Sequence, residues 1–247
     1  MELKNKHIVL TGSEGLIGKA IMKELKKKNM IISIDLLKIQ KQKNVDHYIC
    51  DLEDRKDRDL VSKKIIKKYK KIDILINCAG AVSDFLPTNI TDIKKQNSKI
   101  WDKFIEINLT SIFDLTCKFK TNLERSNNPS IINLSSIYAT SYPDWEMYKN
   151  TKVPSIVSYS VSKGGLLNLT KWLATYLAPK IRVNAISPGG IKRNQSKAFI
   201  QKYIKKTPMK RMCRTMDVVN CIKFLSSEDS SYITGQNIII DGGFTLA

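Results

Sequence analysis

Along the chain, apolar and polar positions follow two alternating periods. Short runs rich in Ile, Leu and Val lie at 7–11, 30–34, 47–50, 72–77, 130–135, 181–186 and 237–240. None shows the strict alternation of a half-exposed strand, as expected of strands covered on both faces. Between them, apolar residues recur every three or four positions over 16–28, 55–70, 101–123, 157–177 and 216–225, the period of amphipathic helices. Alternating strand and helix predict an α/β fold: a doubly wound, mostly parallel, seven-stranded sheet with helices on both faces. No repeat, low-complexity tract or linker interrupts the pattern, so residues 1–247 are expected to form a single domain. Two polar stretches, 138–156 and 191–215, exceed ordinary connections, and long loops in compact domains are usually functional.

Composition narrows this picture. With 247 residues, 42% of them apolar, the chain can bury a sizeable core, which excludes disordered and fibrous classes. Forty-two Lys and Arg against 23 Asp and Glu give a formal net charge of +19. That surplus would raise nucleic acid as a partner, but 35 of the basic residues are Lys and only 7 Arg, whereas phosphate and base readers favour the Arg fork. The densest run, Lys63, Lys64, Lys67, Lys68 and Lys71, lies opposite Leu60, Val61, Ile65 and Tyr69 and reads as a solvated helix face. No nucleic-acid partner is expected, though anionic small molecules would be attracted at long range. No run approaches the roughly 18 apolar residues that cross a bilayer, and Met1–His7 lacks a secretory signal's apolar stretch. No membrane association and a cytoplasmic location are therefore expected. Cys50, Cys78, Cys117, Cys213 and Cys221 form no CxxC pair, so neither a disulfide framework nor a metal site is predicted.

The first strand runs directly into Thr11-Gly12-Ser13-Glu14-Gly15-Leu16-Ile17-Gly18 and then into a helix. Glycines there allow a tight turn, close approach to a pyrophosphate and packing of the helix on the sheet, while helix N-terminal amides hold the phosphate charge. Asp35 closes the next strand, where an acid accepts hydrogen bonds from adenosine ribose hydroxyls and repels a 2′-phosphate. The lesser alternative for these residues alone is a glycine-rich strand-to-helix turn followed by an N-capping Asp; a P-loop is disfavoured because no Gly-Lys-Ser/Thr follows. Further on, Tyr159-Ser160-Val161-Ser162-Lys163 puts a phenol and an ammonium one helical turn apart. A nearby cation stabilises phenolate, which suits a general acid/base. Ser135-Ser136 closes a strand whose C-terminal end opens on the same crevice.

With these motifs in order, the sequence resembles the short-chain dehydrogenase/reductase family over essentially its full length. The resemblance implies a Rossmann-type fold and the following roles. Gly12, Gly15 and Gly18, with Ser13, Glu14, Leu16 and Ile17 between them, correspond to the phosphate loop, and Asp35 to the ribose contact. Asp51 and Leu52 match a strand end beside the adenine. Asn77-Cys78-Ala79-Gly80 is similar to the Asn-Asn-Ala-Gly motif, which makes Asn77, Ala79 and Gly80 cofactor neighbours. Asn108 stands where a helix Asn serves the proton relay; Ser136, Tyr159 and Lys163 match the active-site residues, the last two also touching cofactor. Pro188, Gly189 and Ile191 resemble the loop at the nicotinamide carboxamide, and Asp241-Gly242-Gly243 the tail of single-domain members. The implied reaction is hydride transfer between a nicotinamide cofactor and a carbinol or carbonyl carbon. Asp35 favours NAD over NADP, with Lys38 as the contrary hint.

Three departures stand out. The glycine spacing is TGxxGxxG rather than TGxxxGxG, with Leu16 where Gly is usual; Arg193 replaces a Thr; and Cys78 replaces an Asn. The stretch after Ser136 is also about ten residues longer than common in the family and holds Tyr138, Tyr142, Trp145, Glu146, Tyr148, Lys149 and Lys152. Such residues suit a polyhydroxylated or phosphorylated ring; equally, they describe a surface loop whose aromatics pack beneath it. This stretch resembles members from bacterial surface-sugar and flagellin-glycan pathways, which implies a sugar or sugar-phosphate substrate. Residues 191–215, with Lys192, Arg193, Lys197, Lys202, Lys205 and Lys206, read as a basic lid or a solvated helix. Family resemblance further implies a homo-oligomer, dimer or tetramer, through helices 101–123 and 157–177. The competing functions are a 3-oxoacyl-carrier-protein reductase and, in another class, a cofactor-binding regulator without turnover.

Overall fold

The computed structural model describes residues 3–83, 86–149 and 153–247. Seven strands, β1 (His7–Thr11), β2 (Met30–Asp35), β3 (Val45–Ile49), β4 (Ile74–Asn77), β5 (Ser130–Leu134), β6 (Arg182–Pro188) and β7 (Asn237–Ile240), form one sheet in the order β3-β2-β1-β4-β5-β6-β7. Every pairing is parallel. The chain winds outward from β1 to β3, then returns to β4 on the other side. The connections diverge there, so the strand ends open a crevice at the reversal.

The helices are α1 (Leu16–Leu25), α2 (Arg55–Lys68), α3 (Ser98–Ile105), α4 (Ser111–Glu124), α5 (Trp145–Tyr148), α6 (Val157–Leu177), α7 (Lys197–Lys206) and α8 (Thr215–Leu225). Successive β1 residues serve opposite faces: Ile8 and Leu10 pack with Ile21, Met22, Val218 and Ile222 of α1 and α8, Val9 with Val61, Leu115, Phe119 and Leu173 of α2, α4 and α6. Burial of each such side chain stabilises by about 1.5–3 kcal/mol. Among the described residues no helix is long and apolar enough to cross a membrane.

Three expectations change. The predicted helix 101–123 is α3 and α4 joined by a π-helical turn, Glu106–Thr110, whose extra residue leaves the apolar period nearly intact on either side. On α2 the buried face carries Arg58, Val61, Ser62 and Ile65, whereas Leu60 is about half exposed. The two polar stretches each contain a helix, α5 and α7, because their few apolar residues converge: Met147, Phe199 and Tyr203 bury with Ile137, Met212 and Phe244 in a separate cluster. Lys152 of the longer stretch lies outside the described residues.

Candidate active site

The crevice floor is set by the first turn. Thr11 Oγ1 accepts the amides of Cys78 and Ala79, each at 3.1 Å, and draws the end of β4 onto the end of β1. Gly12 has φ +69°, and a Cβ on it would lie 2.6 Å from Ala79 Cα; a Cβ on Gly18 would lie 2.0 Å from the Gly12 carbonyl oxygen. Backbone packing alone therefore demands both glycines. The unusual spacing is accommodated because Leu16 is the first residue of α1 with its side chain about half exposed. Gly15 is the N-cap and brings no side-chain oxygen to the amides of the first turn, which include Ile17. Those amides suit a phosphate.

Asp35 is aimed by two backbone donors, Glu14 N at 2.8 Å and Leu37 N at 3.0 Å, one on each carboxylate oxygen. A carboxylate oxygen accepts more than one bond, so ribose hydroxyls can still be received. Glu14's own side chain pairs with Lys19 at 3.3 Å. Ser13 turns away from the crevice: its buried hydroxyl bonds Ser33 Oγ at 2.6 Å, and Ser33 continues to His47 Nδ1 at 2.9 Å. Asp51 accepts Glu53 N at 2.9 Å, and the Leu52 carbonyl is gripped by the Arg58 guanidinium. Asn77 likewise faces inward. Its Nδ2 donates to Asn133 Oδ1 at 2.8 Å, and Asn133 to Thr170 at 2.9 Å, a polar ladder beneath α6. For Ser13 and Asn77, only the main chain can meet a ligand.

At the end of β5 the chemistry gathers. Lys163 Nζ donates to the Leu134 carbonyl at 2.7 Å, and Ser135 Oγ to the Lys163 carbonyl at 3.1 Å. These two bonds lock α6 against the strand that presents Ser136. Ser136 Oγ accepts the Tyr138 amide at 3.2 Å, which leaves its own proton to donate to a substrate oxygen. One turn before Lys163, the Tyr159 ring meets Phe104 edge-on, with centroids 6.5 Å apart, beside Ile156 and Ile90. Asn108 sits buried in the π-turn. Its Oδ1 accepts Ala81 N at 2.7 Å, and its Nδ2 donates to Ala81 O at 3.2 Å and Ser162 Oγ at 3.0 Å. A Cβ on Gly80 would lie 3.3 Å from Asn108 Oδ1 and 3.4 Å from Lys163 Nζ, so these three residues converge.

Burial pushes the Lys163 ammonium down to about 8, which leaves it mostly charged at neutral pH. The unfolded chain keeps that proton up to 10.5, so between about 8 and 10.5 the unfolded state binds more protons and stability rises with pH. Lys163→Met removes this dependence. Urea unfolding is expected to show the wild type gaining stability relative to that variant from pH 7 to pH 10; a flat or falling difference would contradict it.

On the far side, Gly189 N donates to Ile240 O at 2.9 Å and Gly190 N to Tyr203 Oη at 2.6 Å. Ile191 bridges to Cys213, and the Ile191 carbonyl accepts Gln195 Nε2 at 2.7 Å. Pro188, which ends β6, has no amide to donate. Arg193 is exposed. Among the described residues no group of His, Cys, Asp and Glu could hold a metal ion.

A sequence model of the family described as Enoyl-(Acyl carrier protein) reductase matches residues 25–245. The 3-oxoacyl-[acyl-carrier-protein] reductase of Thermotoga maritima is 31% identical, with 100% of each chain covered. The chain belongs to the short-chain dehydrogenase/reductase family. A second relative, the post-translational flagellin modification protein A of Campylobacter coli, is 30% identical over 99% of this chain and 100% of its own. The crystal structure of a short-chain dehydrogenase from Leptospira borgpetersenii with bound NAD+ is 36% identical and superimposes with a TM-score of 0.87 over 99% of this chain and 94% of that one. The protein is thus an NAD(P)-dependent oxidoreductase with a Rossmann-type fold.

Two residues that matter to this short-chain dehydrogenase/reductase escaped the sequence reading. Arg58 is 2% exposed, ion-paired to Glu106 at 2.7 Å and Asp114 at 2.8 Å, and joins the loop after β3, through the Leu52 carbonyl, to the helix pair that carries Asn108. Its spacing to Val61 and Ile65 was the available signal. Tyr203 is buried, stacks on Phe244 with centroids 4.4 Å apart and holds the Gly190 amide. Its signal was Phe199, one turn earlier in a lysine-rich segment.

Proposed function

We propose that the protein exchanges hydride with a secondary alcohol or ketone of a sugar or sugar phosphate, in the cytoplasm, with NAD preferred to NADP. The observation that carries the substrate class is the long stretch after Ser136, in which Tyr138, tied by its amide to the Ser136 hydroxyl, bonds Tyr148 through their hydroxyls against an apolar and aromatic backing. A nicotinamide cofactor, when bound, supplies or takes the hydride. Ser136 donates to the reacting oxygen, Tyr159 gives or takes its proton, and Lys163 stabilises the phenolate and reaches the ribose. Asn108 positions α6 and the Ala79–Ala81 turn. Asp35 receives the ribose hydroxyls, where a 2′-phosphate would meet a second negative charge. All five cysteines are free, consistent with a reducing compartment. The intact Ser136, Tyr159 and Lys163 set speaks against a regulator without turnover.

The test is an absorbance assay with NADH and NADPH against free sugars, sugar phosphates, nucleotide sugars and acetoacetyl thioesters. The expected result is turnover within the sugar classes, with NAD favoured by about tenfold or more in kcat/KM, since close like charges cost about 1–4 kcal/mol. A second reading, reduction of a 3-oxoacyl thioester, is favoured by the Thermotoga relative's name. NADPH-linked thioester reduction without sugar turnover would replace the first reading by the second. The same proposal includes a homo-oligomer, dimer or tetramer. Phe113 on α4 and Val161, Trp172 and Tyr176 on α6 are apolar and exposed, and the last two stack at 5.0 Å. Light scattering is expected to give a multiple of the chain mass; a monomer at micromolar concentration would refute this part.

A further inference from the structure

The aromatic residues after Ser136 divide into two sets. Tyr142 and Trp145 face solvent, 86% and 58% exposed. Tyr138 and Tyr148 turn inward and bond each other through their hydroxyls at 2.5 Å. Tyr138 follows Ser136 by two residues and gives its amide to the Ser136 hydroxyl, so its place is fixed relative to the reacting oxygen. Burial pushes both phenols above their usual range, and the Tyr159 phenol adds a smaller push in the same direction to each. Behind the pair stands Phe199, 5.7 Å from the Tyr148 ring, with Met147 in the same cluster.

This wall is fastened. Lys202 Nζ donates to the carbonyls of Glu146 at 3.0 Å and Lys149 at 2.9 Å, and Lys206 pairs with Asp144 at 3.0 Å, so α5 is tied to α7 at both of its ends. Two partly buried phenols are a costlier filling than two Phe rings unless the oxygens have polar work. Linked hydroxyls both donate and accept, which is the complement of another alcohol and a poor match for a methylene.

We propose that the Tyr138–Tyr148 hydroxyl pair reads a hydroxyl on the carbon next to the reacting one, so that the substrate is a vicinal diol or the matching α-hydroxy ketone. The inference rests on Ser136 and Tyr159 holding the reacting oxygen. With that oxygen between them, Tyr138 borders the adjacent carbon, and an acyl chain would set methylenes against two paired oxygens.

NAD reduction with matched alcohols tests it: butane-2,3-diol against butan-2-ol, and D-glucose and its 6-phosphate against their 2-deoxy analogues. In the wild type the hydroxylated member is expected to be favoured at least about tenfold in kcat/KM. That ratio is expected to fall about tenfold or more in Tyr138→Phe and in Tyr148→Phe. A single change breaks the bond between the two hydroxyls, so the double variant, which removes both, keeps the test available where a single variant unfolds. Ratios unchanged in all variants, with only the melting temperature shifted, would make the pair structural and overturn the proposal. Turnover confined to acetoacetyl thioester and abolished by Tyr159→Phe would overturn the proposal and spare the catalytic assignment. No turnover of any alcohol, sugar or thioester would overturn both.

Discussion

Tyr159→Phe is expected to lower kcat at least about a thousandfold while the dissociation constant for NADH changes less than about threefold, since positioned proton transfer contributes 10²–10⁴ in rate. The argument is geometric. The Tyr159 ring is held by Phe104, Ile156 and Ile90, contacts that Phe would keep, so only the hydroxyl is lost. The Lys163 ammonium stays fixed by the Leu134 carbonyl and Ser136 by the Tyr138 amide, so cofactor and substrate remain oriented without a proton donor. Fluorescence titration of NADH beside steady-state assays separates binding from chemistry. A variant that retained a tenth of the wild-type rate would place the proton transfer elsewhere.

The second large effect belongs to the first turn. Gly18→Ala would put a methyl carbon 2.0 Å from the Gly12 carbonyl oxygen and 2.8 Å from Ser13 Cα, both backbone atoms that no side-chain rotation can move. The loop must shift, and with it the amides at the head of α1. The expected cost is about 3 kcal/mol or more, a fall in melting temperature of about 6–12 °C for a chain of this length, together with at least about a hundredfold loss of NADH affinity. Gly15→Ala is the control. Its Cβ would meet the same oxygen at 3.3 Å and its φ is −68°, so a loss below about 1 kcal/mol is expected. Equal effects at the two positions would show that the glycine turn is not held by the contacts described.

Much of this was legible from residue order. Buried parallel strands announce themselves as unbroken Ile and Val runs, and β1 and β7 begin and end where those runs do. That Lys163 would pack against the strand that presents Ser136 followed from one helical turn and one strand end. What stayed hidden has physical causes. A π-turn adds one residue to a helix without breaking its apolar period, so the wide turn at Asn108 could not be seen from spacing. Side-chain direction in the first turn and at the end of β4 depends on tertiary partners, which is why the Ser13 hydroxyl and the Asn77 amide turned out to face inward. A four-residue helix such as α5 has no period to detect, and its apolar residue Met147 is buried only because α7 covers it. Arg58 read as one more base in a basic segment, yet two carboxylates let it replace an apolar residue on the buried face.

The two lysine ties from α7 to α5 have a mechanical result. An outward swing of α7 would drag the Tyr148 end of α5 along with it, so the two short helices would travel as one rigid flap rather than as separate loops.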